Sequence, residues 1–329
     1  MTTSGERRLV SVIVPALDEA DNVPGLIARL SDLRERNPGH DFELVLVDDG
    51  STDDTADLVH ALAPADLPVT TVELSRRFGS HQAISAGLRR CRGDCAVVLG
   101  ADGQEPPDLV ADFLSAWAAG SDVVWGVRRS RTGSLRDQLP SRLFSFLFTR
   151  YAELANYPAE GPSGVLLDRA VIEELNKLEE SNRNVLALIA WLGYRQTRVV
   201  YDQLPRTHGT SRWTRRRMIK LAVDSLIQFS SMPLRLCTFT GLGVAMLGLV
   251  YAVVLLVRSI AGVHTPSGWP TILVVVLVLG GIQLVVVGIM GEYLWRAVEE
   301  VRRRPLYVVR RTRSTEPDDG GDRGRRGPS

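Results

Sequence analysis

Cysteine and aromatic residues are scarce in this chain of 329 residues, which has 3 Cys and 6% aromatic residues. So few cysteines exclude a disulfide-stapled secreted scaffold. An excess of charge of one sign is also missing, since 39 Lys and Arg are balanced by 38 Asp and Glu. The net charge of +1 excludes an overall basic nucleic-acid binder, and the 45% hydrophobic content excludes a disordered chain.

Two common nucleotide-binding motifs are absent. No Gly-rich dinucleotide fingerprint follows a strand, and the glycine cluster from Gly241 to Gly248 has the wrong spacing. A Walker loop is missing as well, and the 5 His show no paired metal-ligand spacing. These absences disfavour a redox Rossmann domain and a P-loop NTPase.

Charged residues are missing from two long stretches near the carboxyl end. None lies in the 22 residues between Arg235 and Arg258, and none lies between Arg258 and Glu292. A helix formed by the first stretch would be about 33 Å long, enough to cross a hydrocarbon core of about 30 Å. The sequence therefore predicts two membrane spans, and a pair of buried core helices is the alternative. A channel or transporter fits poorly, because neither span carries a charge.

The two predicted spans form a hairpin, at about residues 236–257 and 271–291, because Pro266 and Pro270 interrupt the apolar run between them. Basic residues flank the outer ends of this hairpin: Arg215, Arg216, Arg217, Lys220 and Arg235 before it, and Arg296, Arg302, Arg303 and Arg304 after it. By the positive-inside rule, we expect a protein of the cytoplasmic membrane with both termini in the cytoplasm. The first apolar run, 10–15, is too short for a signal peptide.

The first 200 or so residues alternate between strand-like and helix-like segments. Strands are predicted at Leu9–Val14, Glu43–Val47, Val69–Leu74, Cys95–Leu99 and Asp122–Val127. Helices are predicted at Asn22–Arg36, Thr52–Ala63, Gln82–Cys91 and Pro107–Ala119. This alternation predicts an α/β domain with a mostly parallel sheet.

Two segments, Ser141–Leu154 and Arg215–Met232, are amphipathic and basic at one end, as interfacial helices are. Ordinary core helices are the alternative for both. The tail from Thr312 is rich in Gly, Asp and Arg, and we expect it to be disordered. The predicted organisation is an α/β domain over 1–205, a basic loop with an interfacial helix over 206–235, the hairpin within 236–291, and a basic tail over 292–329.

Acidic residues follow three of the predicted strands, in the segments VPALDEADN, LVDDGSTDD and VVLGADGQEPPD. Ligands of open parallel sheets bind at the carboxyl ends of strands. Without a Gly-rich fingerprint, this pattern predicts a site that contacts the ribose and base of a nucleotide, with a metal ion neutralising the pyrophosphate.

The segments SVIVPALDEADNV, LVDDGSTDDT, SRRFGSHQAISAGL and ADGQEPP, in this order, resemble the inverting GT-A (family 2) glycosyltransferases. Together with WLGYRQTRVVYDQLPRTHGTSRW and the hairpin, they are similar to the polyprenyl-phosphate sugar transferases, over about residues 9–305. The resemblance implies a GT-A nucleotide-sugar-binding domain, a nucleotide-sugar donor, a polyprenyl-phosphate acceptor, contact with membrane lipid, and a homo-oligomer such as a tetramer.

The resemblance implies a nucleotide-sugar pocket lined by Pro15, Leu17, Glu19, Asp48, Asp49, Ala101 and Asp102. Asp48 and Asp49 suit this role because carboxylates accept hydrogen bonds from ribose hydroxyls and from an imino N–H. The family usually has an aromatic residue at the Leu17 position. A turn and helix cap is the alternative role of residues 49–51, and it is compatible with nucleotide binding.

The loop after the fourth strand departs from the family pattern Asp-x-Asp-x-Gln. Asp102 and Gln104 match the residues that bind Mg2+ or Mn2+, whereas Gly100 replaces the first Asp. Oxygen ligands suit such cations, and phosphate oxygens and water complete the coordination. Glu105 is a candidate substitute for the missing carboxylate.

Arginine residues supply the phosphate-binding half of the predicted site. By resemblance these are Arg128, Arg131, Arg206 and Arg212, and Asp102, Gln104 and Arg128 form the predicted catalytic set. Arginine forks match phosphate oxygens well. A solvated or lipid-facing basic surface is the alternative.

A lipid monophosphate is largely dianionic at neutral pH, because its second pKa is about 6, so it attacks without a general base. The relatives carry an acidic and Arg element where this chain has Gly161–Val165. We therefore expect sugar transfer from a UDP- or GDP-sugar to a polyprenyl phosphate with inversion. An enzyme that uses another lipid or glycan acceptor, and a non-catalytic nucleotide-binding membrane protein, are the alternatives.

Overall fold

The computed structural model describes residues 7–106, 108–129, 157–158, 162–178, 180, 184–204 and 268–315, and separate positions between Phe239 and Ile260. The chain divides into two compact units. The first comprises Met1–Thr149, Leu154–Trp213 and Pro305–Ser329, and the second comprises Arg150–Glu153 and Thr214–Arg304. The predicted interfacial helices, and Arg131, Arg206 and Arg212, lie outside the described residues.

Within the described residues, the first unit contains an eight-stranded sheet in the order β7-β5-β6-β4-β1-β2-β3-β8. The strands are β1 (Arg8–Ala16), β2 (His40–Asp48), β3 (Val69–Leu74), β4 (Cys95–Val98), β5 (Val123–Arg128), β6 (Pro162–Asp168), β7 (Gln196–Tyr201) and β8 (Val309–Ser314). Among the strands that the structure describes, β6 and β8 alone run antiparallel to their neighbours. This mostly parallel mixed sheet confirms the predicted α/β class.

Helices connect most of the strands: α1 (Val23–Arg36), α2 (Thr55–Leu62), α3 (Ser80–Arg90), α4 (Asp108–Ala118), α5 (Arg169–Lys177) and α6 (Val185–Trp191). Helix α1 has a proline in its first turn, where a missing N–H breaks no helical hydrogen bond. Its buried residues Leu26, Leu30 and Leu33 recur at helical spacing. The first four helices match the predicted ones to within about three residues.

The central strands are buried on both faces. Val12, Ile13 and Val14 are consecutive and each is fully buried. Since successive side chains of a strand point to opposite faces, both faces of β1 are covered. This explains why the strands read as continuous apolar runs rather than as alternating ones.

The strand order brings the acidic loops together. Strand β1 pairs in parallel with β2 on one side and with β4 on the other, so the order in which strands are added to the sheet reverses at β1. Ligands bind at the carboxyl edge beside such a reversal. Because β6 is antiparallel to both β4 and β5, the strands β4 and β5 point the same way, and β7 is parallel to β5. The ends of β1, β2, β4, β5 and β7 therefore share one edge.

The last strand corrects the prediction for the tail. Residues Thr312–Ser314, predicted to be disordered, belong to β8 and pair with β3. Arg313 supports this pairing, since its guanidinium lies 2.5 Å from Asp57 and 3.0 Å from Glu73. The prediction was wrong because composition does not reveal backbone pairing with a strand more than 200 residues earlier.

The second unit contains the long helix α7 (Trp269–Val301), which has 33 residues. The described positions between Phe239 and Ile260 are helical as well. In the part of the chain that the structure describes, no helix has the length and apolar character needed to cross a membrane. The two-span hairpin stays a prediction.

Candidate active site

Hydrogen bonds join the loop after β1 to the loop after β2. The Asp18 N–H donates to Ser51 Oγ (2.8 Å), and Asp18 Oδ1 accepts from the N–H and the hydroxyl of Thr52 at 2.8 and 3.1 Å. Asp18 has a φ of 48°, a left-handed conformation that Asp adopts more readily than most residues. Pro15 and Leu17, predicted to line the pocket, are partly buried and stand immediately before this connection.

Glu19 immediately precedes a short 3-10 turn, Ala20–Asn22. Its N–H donates to Thr55 Oγ1 (2.9 Å), and its Oε2 accepts from Asn22 Nδ2 (2.5 Å). One carboxylate oxygen of Glu19, a residue predicted to bind the nucleotide, is thus hydrogen-bonded within the loop itself.

Asp48 is buried at the end of β2. Its Oδ1 accepts hydrogen bonds from the Ser51 N–H (2.8 Å) and from the Ser51 hydroxyl. Burial raises the pKa of Asp48, and the two hydrogen bonds from Ser51 oppose that rise. The arrangement closes the turn at 48–51 and leaves Asp48 at the edge where a ribose is expected.

Asp49 holds the loop that precedes α3. Its carboxylate accepts from the N–H groups of Phe78 (2.6 Å) and Gly79 (2.9 Å), and burial raises its pKa. The next residue, Gly50, has a φ of 79°, and a Cβ there would lie 2.7 Å from the carbonyl carbon of Arg76. Only glycine permits this approach. The turn role is therefore present in the structure.

The loop after β4 brings two carboxylates together at Gly100. A Cβ on Gly100 would lie 3.0 Å from Asp102 Oδ1 and 3.5 Å from both carboxylate oxygens of Glu105. Burial, and then the charge of Asp102, raise the pKa of Glu105 to about 7. Glu105, offered by the sequence as a substitute for the missing side chain, is thus close to the space which that side chain would occupy.

Arg29 of helix α1 contacts the same loop from the other side. Its Nη2 donates to the carbonyl of Ala101 (3.2 Å). Burial lowers the pKa of Arg29, while the charges of Glu105 and Asp102 oppose this shift. Gly103 has a φ of 68°, and a Cβ there would overlap the Arg29 guanidinium. Glycine at 103 therefore makes room for the positively charged Arg29 guanidinium beside the carboxylates of Asp102 and Glu105.

Arg128 ends β5 at the same edge of the sheet. Its register partner is Tyr201 at the end of β7, and the hydroxyl of Tyr201 hydrogen-bonds the hydroxyl of Ser163 on β6. Burial raises the pKa of Tyr201, hydrogen bonds from Ser163 and Arg128 oppose the rise, and the charge of Glu105 adds to it. Arg128 Nε is buried and has no hydrogen-bond partner among the described residues.

The residues of the acidic loop fit a divalent cation. The donors are the carboxylates of Asp102 and Glu105 and the side-chain amide of Gln104, all hard oxygen ligands of the type that Mg2+ and Mn2+ prefer. No cluster of three or more His, Cys, Asp or Glu occurs in the described part of the chain. A cation here would therefore need phosphate oxygens and water to complete its coordination.

Three residues of this edge were not predicted: Arg29, Ser163 and Tyr201. Arg29 gives no signal in the sequence, because 72 positions separate it from Ala101. Gly103, close to Gly100, indicates that some group approaches this loop closely but does not say which one. Tyr201 stands at the end of a strand-like run, and no signal identifies Ser163.

Residues 11–221 match the glycosyl transferase family 2, and the chain belongs to this family. An uncharacterised glycosyltransferase of Synechocystis is 36% identical over 303 residues, which are 91% of this chain and 94% of that protein. The putative glycosyltransferase CsbB of Bacillus subtilis is 32% identical over 92% of this chain and 91% of its own. The bactoprenol glucosyl transferase of Shigella phage SfII is 29% identical over 94% of this chain and 99% of its own.

These relatives confirm the predicted family, and the protein is a glycosyltransferase. Among solved structures, mannosyl-3-phosphoglycerate synthase from Rubrobacter xylanophilus has a TM-score of 0.46 and 20% identity over 69% of this chain and 74% of that one. Glucosyl-3-phosphoglycerate synthase from Mycobacterium tuberculosis, in complex with Mn2+, UDP and phosphoglyceric acid, has a TM-score of 0.43 and 21% identity over 66% of this chain and 75% of that one. Likenesses of this size carry no argument about ligands.

Proposed function

We propose that this glycosyltransferase transfers a sugar from a UDP- or GDP-sugar to a polyprenyl phosphate, with inversion, at the cytoplasmic face of a membrane. The observation that carries the proposal is the shared edge at which the acidic loops after β2 and β4 lie with Arg128. The relatives named bactoprenol glucosyl transferase, matched over nearly their whole length, support a polyprenyl-phosphate acceptor.

The donor nucleotide would occupy the crevice at the ends of β1 and β2. Pro15, Leu17 and Glu19 would line it on one side and Ala101 on the other. Asp48 would accept hydrogen bonds from the ribose or base. Asp49, whose carboxylate is bonded to backbone N–H groups, would act by shaping the loop.

The donor diphosphate would lie beside the loop after β4. Asp102 and Gln104, with Glu105 next to them, would hold Mg2+ or Mn2+. When bound, such a cation offsets the charge that develops on the departing nucleoside diphosphate. Arg29 holds the backbone of this loop through Ala101 and reduces the repulsion between its carboxylates.

Arg128 would bind phosphate at the acceptor side, together with Arg131, Arg206 and Arg212. The acceptor phosphate oxygen forms a bond to the anomeric carbon from the side opposite the donor diphosphate. The bond from that carbon to the diphosphate oxygen breaks, and the nucleoside diphosphate leaves with its electron pair. The protein's tasks are alignment and stabilisation of charge.

The membrane hairpin belongs to this proposal. Its support is the charge-free sequence on both sides of Arg258 and the basic residues that flank it. Large apolar side chains of α7 are exposed in the single chain, for example Ile272, Val276 and Val287 at 66%, 59% and 58%. The proposal therefore includes a hairpin in the cytoplasmic membrane and, by resemblance, assembly as a tetramer.

A non-catalytic nucleotide-binding protein is the second candidate. Two observations favour it. Gly100 removes a carboxylate from the acidic loop, and Val165, where the relatives have their acidic and Arg element, is a fully buried apolar residue.

The test is transfer of label from a panel of UDP- and GDP-sugars to a short-chain polyprenyl phosphate. The purified full chain in detergent is assayed with Mg2+, Mn2+ or EDTA. Metal-dependent formation of a labelled lipid is the expected result, and it identifies the sugar. Nucleotide binding without transfer to this acceptor would favour another acceptor or the non-catalytic protein, and absence of nucleotide binding would contradict the site.

A further inference from the structure

Tyr201 crosses the sheet beneath the edge that carries the site. It belongs to β7, yet its hydroxyl bonds to Ser163 of β6, and β5 lies between these two strands. The residue over which it passes is Gly126. A Cβ on Gly126 would lie 3.4 Å from Tyr201 Cε1, which is van der Waals contact. The ring therefore lies against Gly126 where it crosses β5.

The Tyr201 ring has little freedom. Tyr201 is 5% exposed, and the same Cβ on Gly126 would lie 3.0 Å from Phe113 Cζ, which places Phe113 next to the ring. A ring confined on these sides holds its hydroxyl at one point. The pKa of Tyr201 is raised by burial, so the hydroxyl keeps its proton and can both donate and accept.

Groups of opposite charge lie near that hydroxyl. Arg128 is the register partner of Tyr201 on the neighbouring strand, and the charges of Arg128 and Glu105 shift the pKa of Tyr201 in opposite directions. The backbone adds a second connection, because the Arg129 N–H donates to the Tyr201 carbonyl (2.9 Å). The strand end that carries Arg128 is therefore paired with Tyr201 through the backbone, while the buried Arg128 Nε lacks an acceptor among the described residues. A buried guanidinium N–H without a partner is costly unless a ligand supplies one.

We propose that Tyr201, held by Ser163 and seated over Gly126, is a positioning residue that directs the Arg128 guanidinium at the phosphate of the acceptor. This inference rests on the proposed function and names residues for its acceptor half. It also gives a role to the segment 161–165, in which Ser163 supplies the hydroxyl that fixes Tyr201. Arg forks bind phosphate oxygens with two parallel hydrogen bonds, and the proposed function makes the phosphate monoester of the acceptor the ligand for the Arg128 guanidinium.

The test uses Tyr201→Phe, which removes the hydroxyl and keeps the ring that the packing requires. The control is Tyr194→Phe, the same change two residues before β7 and at its opposite end. Binding of a short-chain polyprenyl phosphate, and separately of the donor nucleotide, is measured on the purified full chain in detergent, beside the KM for each substrate. We expect Tyr201→Phe to weaken lipid-phosphate binding about tenfold and to leave nucleotide binding within about twofold.

A double-mutant cycle then asks whether Tyr201 acts through Arg128. In an Arg128→Ala background, Tyr201→Phe should weaken lipid-phosphate binding no further. Ser163→Ala should show part of the effect of Tyr201→Phe, with the same selectivity for the acceptor.

The outcomes separate the two proposals. Equal loss of donor and acceptor binding in Tyr201→Phe, or additive losses with Arg128→Ala, would mean that Tyr201 only stabilises the fold and would overturn the inference alone. A wild-type protein that binds nucleotide and no lipid phosphate would overturn the acceptor assignment, and with it this inference.

Discussion

The carboxylate of Asp49 accepts a hydrogen bond of 2.9 Å from the backbone N–H of Gly79, the residue that immediately precedes helix α3. It accepts a second, of 2.6 Å, from the N–H of Phe78. No side-chain cap hydrogen bond occurs at the start of α3 among the described residues, so the Asp49 carboxylate is what holds the two backbone N–H groups of this turn. An acidic residue at a ligand-binding edge thus supports the loop that shapes the edge.

Replacing Asp49 by Ala should destabilise the protein by about 1–3 kcal/mol, because two backbone N–H groups lose their acceptor. Denaturant unfolding of the full chain in detergent measures this. Asp54→Ala is the matched control, since Asp54 is exposed and makes no side-chain capping bond. Similar losses in the two variants would contradict the structural role of Asp49.

Replacing Asp102 by Asn should reduce metal-dependent sugar transfer about a hundredfold or more, because a neutral amide is a poorer ligand for a divalent cation. Insertion into the membrane should be unchanged. Steady-state rates over a range of Mn2+ concentrations give the measurement, and Mn2+ binding by the unloaded protein gives a second one.

Asp108→Asn is the control for that variant. Asp108 is exposed at the start of α4 and pairs with Arg36 at 3.0 Å, so its loss should leave transfer almost unchanged. Near wild-type turnover in Asp102→Asn would remove the proposed metal site.

Arg206→Ala should impair use of the acceptor or donor far more than Arg216→Ala. The first residue belongs to the segment that resembles a phosphate-binding loop, whereas the second belongs to a basic cluster expected at the lipid surface. Both lie outside the described residues, so this prediction depends on the sequence. KM values for both substrates decide it, and equal effects would refute the loop assignment.

The stability of the protein should decrease on acidification partly because of His81. Burial lowers the pKa of His81 from 6.5 to about 4. Between these values the unfolded chain binds a proton that the folded protein excludes, so stability falls as pH falls through this window. Above the pKa of His81 in the unfolded chain, the imidazole is neutral in both states, and protonation of His81 no longer lowers the stability of the protein.

Thermal unfolding of wild type and His81→Gln between pH 7 and about pH 4 checks this linkage. The wild-type midpoint should fall more steeply with acidification than that of the variant, because only the wild type carries the depressed histidine. His40→Gln should give a smaller difference; the pKa of His40 is also lowered, by burial and by the charge of Arg8. Parallel curves for wild type and His81→Gln would show that His81 does not contribute.

Much of the first unit could be predicted from local pattern. Strands β1 to β5 and helices α1 to α4 occur where apolar runs and helical spacing placed them, because each element carries its own apolar run or helical periodicity. Strands β6 and β7 and helices α5 and α6 were missed, since the pattern after Gly120 has weaker periodicity. Strand β8 was missed because its arginine-rich sequence resembles a solvated tail until Asp57 and Glu73 provide partners.

By itself, the sequence determined that an α/β glycosyltransferase domain precedes two charge-free apolar stretches, and that acidic loops follow its parallel strands. Those conclusions depend on composition, periodicity and motifs, which are local properties. Only the tertiary structure decided how the loops are used. In the fold, Asp49 is hydrogen-bonded to the turn before α3, and the Glu105 carboxylate lies close to Gly100. Tyr201 crosses β5 beside Gly126 and hydrogen-bonds Ser163. These contacts join residues that are distant in sequence, and they depend on which strands are neighbours, a choice made by packing the whole sheet at once.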